Sequence, residues 1–352
     1  MNNSIDFYID QLINHTDLFD TNINDFEANK VFDFSEETIL ITGAAGTIGK
    51  ELFKQLIPCT FKKVILIDIA ESALYNLSIE FTEHINHKIE LRVCNINDKA
   101  STKHIFSTYS PTMVFHCAAY KHVPLMEINP YEAVKTNIIA TKLLADLSAE
   151  SNVKKFVFVS SDKAVVPKSI MGMTKHIAEQ YLDSLESNTE FIITRFGNIL
   201  GSNGSVLPVF LKQIELNLPL TITDKDMTRY FIGRQKACQL ILESTGFNNL
   251  KNKTLSFRNN SPISIYKLAK SVISISKKDD IIIKITGVRS GEKLHEIMVD
   301  SNESTEPISH PDIFQIKNKK KPAKQIADFK YLKNITPNTS TLDAEIILRK
   351  YL

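Results

Sequence analysis

The run Thr38-Ile39-Leu40-Ile41-Thr42 passes directly into Gly43-Ala44-Ala45-Gly46-Thr47-Ile48-Gly49, and that junction constrains the fold more than any other stretch of the chain. A short branched apolar run bounded by a turn signal reads as a strand buried on both faces, the kind found in parallel sheets. Residues 49–56 carry on as a helix, which Pro58 stops. The glycines allow a tight turn and let backbone N–H groups approach a pyrophosphate at the helix N-terminus. Their spacing is GxxGxxG rather than GxGxxG.

The same alternation repeats. Residues 64–68, 89–93, 113–116, 156–160 and 191–195 read as strands, with helical stretches such as 131–151 and 174–185 between them. Repeated β-α units imply an α/β fold, a doubly wound parallel sheet with right-handed crossovers. After Gly197 the pattern loosens into loops rich in Gly, Asn and Pro, with a helix at 264–276 and a strand at 280–286. The last 50 residues carry little periodic signal. Three regions are therefore expected. Residues 1–36 form a polar, helical N-terminal extension, and 37–196 form a dinucleotide-binding Rossmann domain completed by part of 231–262. Residues 197–352 form a smaller, mainly substrate-binding region.

Composition narrows the partners. The 352 residues have a net charge of +2, which gives no bulk electrostatic case for nucleic acid or a membrane surface. The basic run at 317–321 is short, is ended by Pro322, and reads as a solvated loop. Cys59, Cys94, Cys117 and Cys238 are far apart and form no CxxC pair. That argues against a disulfide framework or a metal site and for a reducing cytoplasm. No apolar run approaches the roughly 20 residues that span a bilayer. The first 20 residues carry acids and amides, unlike a secretory signal.

Asp68 closes the second strand, 19 residues after Gly49. A carboxylate there accepts hydrogen bonds from the adenosine ribose hydroxyls and repels a 2′-phosphate, so NAD is expected over NADP. Asn95, after the third strand, is placed to meet the adenine edge. Cys117-Ala118-Ala119, after the fourth, are small enough for a cofactor to lie across them.

A second constellation follows the fifth strand: Ser160-Ser161-Asp162-Lys163-Ala164, then Met171-Gly172-Met173-Thr174-Lys175. It sets an acid and an amine side by side at a strand's C-terminal end, where open α/β sheets bind ligands. With a nicotinamide cofactor, such a set points past plain hydride transfer, toward eliminating water from a sugar. The C5 proton of a hexose becomes acidic once C4 is a ketone. A base then removes it while an acid protonates the departing C6 hydroxyl. An amine base acts only when neutral and an acid only when protonated, so the pair works as a coupled unit.

Further pieces are His116-Cys117-Ala118-Ala119-Tyr120-Lys121-His122-Val123-Pro124, Arg195-Phe196-Gly197-Asn198, Gly204-Ser205-Val206-Leu207-Pro208 and Gly291-Glu292-Lys293-Leu294-His295-Glu296. Together these residues resemble the extended short-chain dehydrogenase/reductase superfamily from about Thr38 to about His310. Within it, the chain resembles the UDP-N-acetylglucosamine 4,6-dehydratases of polysaccharide biosynthesis. Two departures stand out. Met171 holds the place of the superfamily's YxxxK tyrosine, leaving Lys175. The replacement is shared with a branch that includes large membrane-anchored members, and this chain resembles that branch's catalytic portion without a transmembrane part. Asn95 stands where relatives often have Asp.

The resemblance implies Asp162 as the C6 acid, Lys163 as the C5 base, and Ser161 on the C4 hydroxyl. Lys175 holds the nicotinamide ribose, and Met171 lines the site. It implies NAD contacts from Gly43, Gly46, Thr47, Ile48, Gly49, Asp68, Asn95, Ile96, Cys117, Ala118, Ala119, Lys175 and Ile199. For a UDP-N-acetylhexosamine substrate, Arg229 and Arg289 are candidates for the diphosphate, since guanidinium binds phosphate oxygens in bidentate fashion. Lys121 and Asn198 face the sugar, Glu292 a ribose hydroxyl, and Asn203, Gly204, Ser205, Val206 and Pro208 offer contacts at a helix start. The Phe196–Ser202 stretch looks more like relatives that retain the C5 configuration. An inverting dehydratase, a UDP-sugar 4-epimerase and a non-catalytic NAD-binding scaffold are the alternatives. Relatives suggest a homo-oligomer.

Overall fold

The computed structural model describes residues 31–247, 253–258, 261–318 and 329–352. The expected N-terminal helical extension lies almost wholly outside the described residues, as does most of the basic run.

The first half alternates as expected. Strand β1 (Asp33–Thr42) is followed by α1 (Thr47–Leu56), β2 (Thr60–Asp68), α2 (Glu71–Glu80), β3 (Ile89–Val93) and α3 (Lys99–Tyr109). Then come β4 (Met113–His116), α4 (Val123–Ile128), and α5 (Pro130–Val134). A π-helical turn at Lys135–Ala140 joins α5 to α6 (Thr141–Glu150). β5 (Lys155–Val159), α7 (Ile170–Ser184) and β6 (Glu190–Arg195) complete this half. The second half contributes β7 (Asn198–Ile199), α8 (Val206–Glu215), β8 (Leu220–Ile222), β9 (Thr228–Arg229), β10 (Phe231–Ile232), α9 (Arg234–Ser244), β11 (Lys253–Phe257), β12 (Ile263–Ser264), α10 (Ile265–Ser276), β13 (Ile283–Ile285), β14 (Glu303–Ile308), β15 (His310–Asn318) and α11 (Thr341–Leu348).

Nine strands form one sheet in the order β14-β15-β11-β6-β5-β4-β1-β2-β3. The pairs from β3 to β11 are parallel, and β15 and β14 are added antiparallel. Successive side chains of a strand point to opposite faces. Accordingly Leu40, Ile65, Val114, Phe156 and Phe158 pack on one face beneath α6, α7 and α11. Ile39, Ile41, Val64, Leu66, Phe115 and Val157 pack on the other beneath α1 and α9. The strands therefore read as continuous apolar runs because both faces are buried. A separate cluster, including Leu207, Phe210, Ile214 and Leu268, forms the core of a smaller lobe around α8 and α10.

The first strand begins at Asp33, ahead of the expected domain start at residue 37, with its register shifted between Phe34 and Thr38. The last 50 residues, whose periodic signal is faint, supply β14 and β15 to the main sheet. Their signal is faint for a physical reason. β14 is an edge strand whose residues are mostly exposed, and β15 buries Ile313 and Ile316 with little else apolar. The pair is instead fixed by charge. Arg195 Nη1 meets Glu303 at 2.9 and 3.0 Å, while Arg195 Nη2 meets Glu179 at 2.6 Å, all three residues being buried or nearly so.

Among the described residues, no helix is long and apolar enough to cross a membrane.

Candidate active site

The strand order reverses between β1 and β4, and ligands bind in the crevice outside the C-terminal ends of strands at such a switch point. A two-chambered cleft opens there. One chamber, of about 270 Å³, lies over β1, β2 and β3, and the other, of about 610 Å³, runs from β4 and β5 to the smaller lobe. Cys117 and Ala119 line both.

The smaller chamber carries the groups that would suit the adenosine half of a dinucleotide. Gly43, at φ +64°, floors it, and a side chain there would meet the Ala118 backbone at 2.8 Å. The first turn of α1 begins at Gly46 with no side-chain cap, which leaves its N–H groups free for an anion. Asp68 is aimed by two backbone donors: Ala45 N–H reaches Oδ2 and Ala70 N–H reaches Oδ1, both at 2.9 Å. Each oxygen keeps lone-pair capacity for a ribose hydroxyl. Asn95 and Ile96 line the far wall beside Asn97, whose buried Oδ1 has no hydrogen-bond partner. An orphaned acceptor in an otherwise satisfied wall fits an absent ligand. Ala118 completes this chamber, while Gly49 lies behind it in α1, packed on the Gly43 carbonyl.

The larger chamber gathers the chemistry. β5 ends at Val159, and Ser161, in extended conformation, caps a 3₁₀ turn at Asp162–Ala164 by accepting the Lys163 N–H. Asp162 N–H donates to the Phe196 carbonyl at 3.0 Å, tying the turn to the exit of β6. The Asp162 carboxylate turns inward. Its Oδ1 accepts from Ser161 Oγ at 2.9 Å and Lys163 Nζ at 3.0 Å, its Oδ2 has no partner, and the residue is 0% exposed. Ser161 and Lys163 line the chamber, whereas Asp162 lies beneath its surface. Lys163 Nζ also donates to Asn198 Oδ1 at 3.0 Å.

Helix α7 carries the next two residues. Ser169 Oγ accepts Gly172 N–H and Glu127 Oε1 accepts Ile170 N–H, which caps its start. Residues four apart share a helix face, so Met171 and Lys175 both look into the chamber. Lys175 donates to the Val159 carbonyl at 2.9 Å and sits 4.3 Å from the Phe158 ring centre. Burial pulls its ammonium down to about 8, and Glu179 and Cys117 oppose that shift. Burial also pushes the Cys117 thiol up to about 12, leaving an uncharged surface between the chambers. Lys121, also on the wall, is lowered by desolvation and then by the charge of Lys163.

His116, the last residue of β4, is a fixed neutral spacer. Its Nδ1 accepts from Thr42 Oγ1 at 2.7 Å, and its Nε2–H meets Thr141 Oγ1 at 2.9 Å, whose own proton goes to the Asn137 carbonyl. Burial, then the charge of Lys175, depress it to about 3.

The substrate end is assembled from both halves. Thr47, Ile48, Ile199, Asn203, Gly204, Ser205 and Val206 all line the chamber, Asn203 N–H donates to Thr47 Oγ1 at 3.3 Å, and Ser205 Oγ is buried without a partner. Pro208 does not reach the wall; it lies in the first turn of α8. Arg289 is exposed and paired with Glu292 at 3.1 Å. Arg229 is buried, and three of its N–H groups are committed to the carbonyls of Thr228, Lys293 and Leu294, leaving two for a ligand. His122, Lys293 and Glu296, which the sequence places in motifs without a role, also line this chamber. The motif Gly291–Glu296 was legible, but a buried lysine has no signature that separates it from a surface one.

The fold and this cleft define a Rossmann-type α/β protein of the short-chain dehydrogenase/reductase class. The chain belongs to the polysaccharide biosynthesis protein family, which matches residues 39–318. It is 40% identical over 278 residues to the capsular polysaccharide biosynthesis protein CapD of Staphylococcus aureus, a match covering 77% of this chain and 46% of CapD. The chain thus spans about half the length of that relative. It is 32% identical over 304 residues to a UDP-N-acetylglucosamine 4,6-dehydratase (inverting) of Campylobacter jejuni, covering 84% of this chain and 87% of the relative. The X-ray structure of Pen from Bacillus thuringiensis is similar, with a TM-score of 0.74 and 32% identity over 81% of this chain and 90% of that one.

Proposed function

We propose that the protein is an NAD-dependent 4,6-dehydratase acting on UDP-N-acetylglucosamine and yielding a 4-keto-6-deoxy sugar. The observation that carries this reading is the contact of Lys163 with both Asp162 and Asn198, at 3.0 Å each, on the wall beside Lys175. A 4-epimerase has no use for such a pair.

When bound, NAD would supply a hydride acceptor for C4 and then a donor for C6, so no net oxidant would be consumed. Ser161, on the chamber wall, holds the C4 hydroxyl and relays its proton to the Asp162 carboxylate, whose Oδ1 accepts from Ser161 Oγ, as the hydride leaves C4. Lys163, the cleft-facing member of the pair, takes the C5 proton and returns one to C5 when C6 is reduced. Asp162 is the proton source for the departing C6 hydroxyl. Its Oδ1 contacts two groups that open on the cleft, Ser161 Oγ and Lys163 Nζ, so a proton has a short route outward. The Lys175 ammonium holds the nicotinamide ribose and favours loss of hydride from C4 electrostatically. Met171 lines the pocket where the superfamily's tyrosine stands, and its thioether takes no proton at neutral pH.

The test is to incubate the protein with NAD and UDP-N-acetylglucosamine in deuterated water and follow the product by mass and NMR. Loss of one water with deuterium at C5 is expected. A product of unchanged mass identifies an epimerase, and no product sinks the reading. The same spectrum gives the C5 configuration. Retention is our reading from the Phe196–Ser202 stretch, although the Campylobacter relative is named as inverting.

A further inference from the structure

The turn that carries Asp162 and Lys163 ends in an unfavourable conformation. Val166 has φ +42°, a left-handed backbone that a β-branched residue rarely adopts, and it precedes Pro167, which pushes its neighbour toward extended conformations. Such a residue persists only where its surroundings over-determine it. One contact on the residue before it comes from a distant segment. Lys293, 8% exposed, donates from Nζ to the Val165 carbonyl at 2.7 Å across 128 residues of sequence.

The lysine is itself held firmly. Its ammonium lies 3.0 Å from buried Glu296 Oε2, an ion-pair distance without hydrogen-bond alignment. Its carbonyl and that of Leu294 accept from Arg229 at 2.9 and 3.0 Å. At the other end of the segment, Gly291 sits at φ +75° so close to α7 that a side chain there would come within 2.8 Å of Glu127 and Ser169. Residues 289–296 thus form a strap pinned to both β9 and the start of α7. The same strap presents Arg289 and Glu292 to the larger chamber.

We propose that Lys293 is a positioning residue that clamps the catalytic turn through the Val165 carbonyl, holding Asp162 and Lys163 in register with a substrate gripped by the same strap. A buried ammonium is a costly way to hold one carbonyl unless it is paired, and Glu296 provides that pairing. The kinetic side rests on the dehydratase reading, but the clamp itself is tested without turnover.

Hydrogen–deuterium exchange is measured on peptides covering 160–169 in wild type, Lys293→Met and Lys293→Met/Val166→Gly. Lys293→Met is expected to speed exchange there about tenfold while β5 stays protected. Its turnover falls about thirtyfold with KM within about threefold, since small misplacements near the chemistry cost up to about a hundredfold. Adding Val166→Gly recovers about a third of the lost turnover, because glycine adopts φ +42° without the clamp. Unaltered exchange in Lys293→Met, or a double variant no faster than the single one, overturns the proposal. Should Lys293→Met not fold, Glu296→Gln, which keeps the ammonium but removes its counter-charge, is expected to speed exchange about threefold. No change in that variant overturns the clamp equally. If wild type itself makes no dehydrated product, the dehydratase reading falls and exchange still decides the clamp.

Discussion

Lys163 Nζ lies 3.0 Å from Asp162 Oδ1, and of the two side chains only the lysine reaches the cleft. Asp162 is fully covered, so as the proposed acid it would act through the groups that touch it. On that reading Lys163→Ala removes both the cleft-facing base and the outward route for the proton of Asp162. Asp162→Asn keeps the shape and removes the proton. Each is expected to lower turnover by about 10²–10⁴-fold, the range of a lost general acid or base, with NAD affinity unchanged. Near-normal release of dehydrated sugar by both variants, read by product mass, would mean that the pair is not the acid and base.

The adenosine chamber gives a second expectation. Asp68 is held on the wall of that chamber by the Ala45 and Ala70 N–H groups, and we assign it to the adenosine ribose. Asp68→Ala loses a charged hydrogen-bond acceptor, worth about 1.5–3 kcal/mol, so the dissociation constant for NAD should rise on the order of tenfold to a hundredfold. The variant also loses the charge that repels a 2′-phosphate, and the preference for NAD over NADP should shrink. Fluorescence titration with the two reduced cofactors reads both effects. Wild-type protein that binds NADP more tightly than NAD would contradict the assignment of Asp68.

What could be read in advance follows burial. β1, β2, β4, β5 and β6 were visible because each carries a run covered on both faces, and such a run is mostly apolar. β14 and β15 were not, since β14 is a solvated edge strand that needs no apolar pattern and β15 beside it buries little apolar surface, while Glu303 of β14 is tied to Arg195. At the site, spacing brought Asp162, Lys163 and Lys175 to one strand end. It could not tell that the 3₁₀ turn sends one side chain inward and its neighbour outward, because that depends on the Ser161 cap and the bond from Asp162 N–H to Phe196. Lys293 escaped notice because its partner, Val165, is 128 residues away.

The Glu179–Arg195–Glu303 group links α7, β6 and β14. Glu303→Ala leaves the Arg195 guanidinium with one carboxylate in a buried setting. Breaking a buried pair in this way is expected to cost about 3 kcal/mol in unfolding free energy, measured by urea denaturation. Glu306→Ala, whose pair with Lys317 is on the exposed part of the same hairpin, should cost under about 1 kcal/mol. Equal losses in the two variants would show that the hairpin, rather than the buried charge, carries the effect.

Lys175 sets opposite demands on stability and catalysis. Its folded-state value is lowered from 10.5 to about 8, chiefly by burial. Below about pH 8 the folded protein holds the ammonium at a cost that the unfolded chain does not bear. Between about 8 and 10.5 the unfolded chain binds more protons, so that cost fades as pH rises and is gone above 10.5. Lys175→Met should therefore be more stable than wild type at pH 7, by on the order of 2–3 kcal/mol, with the advantage vanishing toward pH 10.5. In the proposed dehydration the trend runs the other way, because the charged form of Lys175 would favour hydride loss from C4. Wild-type turnover should fall as pH rises through about 8, approaching tenfold per pH unit, while Lys175→Met is inactive throughout. Lys175→Arg stays charged and should lack the alkaline limb even if it is slower. Parallel pH series of thermal melting and turnover on the three proteins read both trends. A wild-type alkaline limb that persists unchanged in Lys175→Arg would assign the titration to another group.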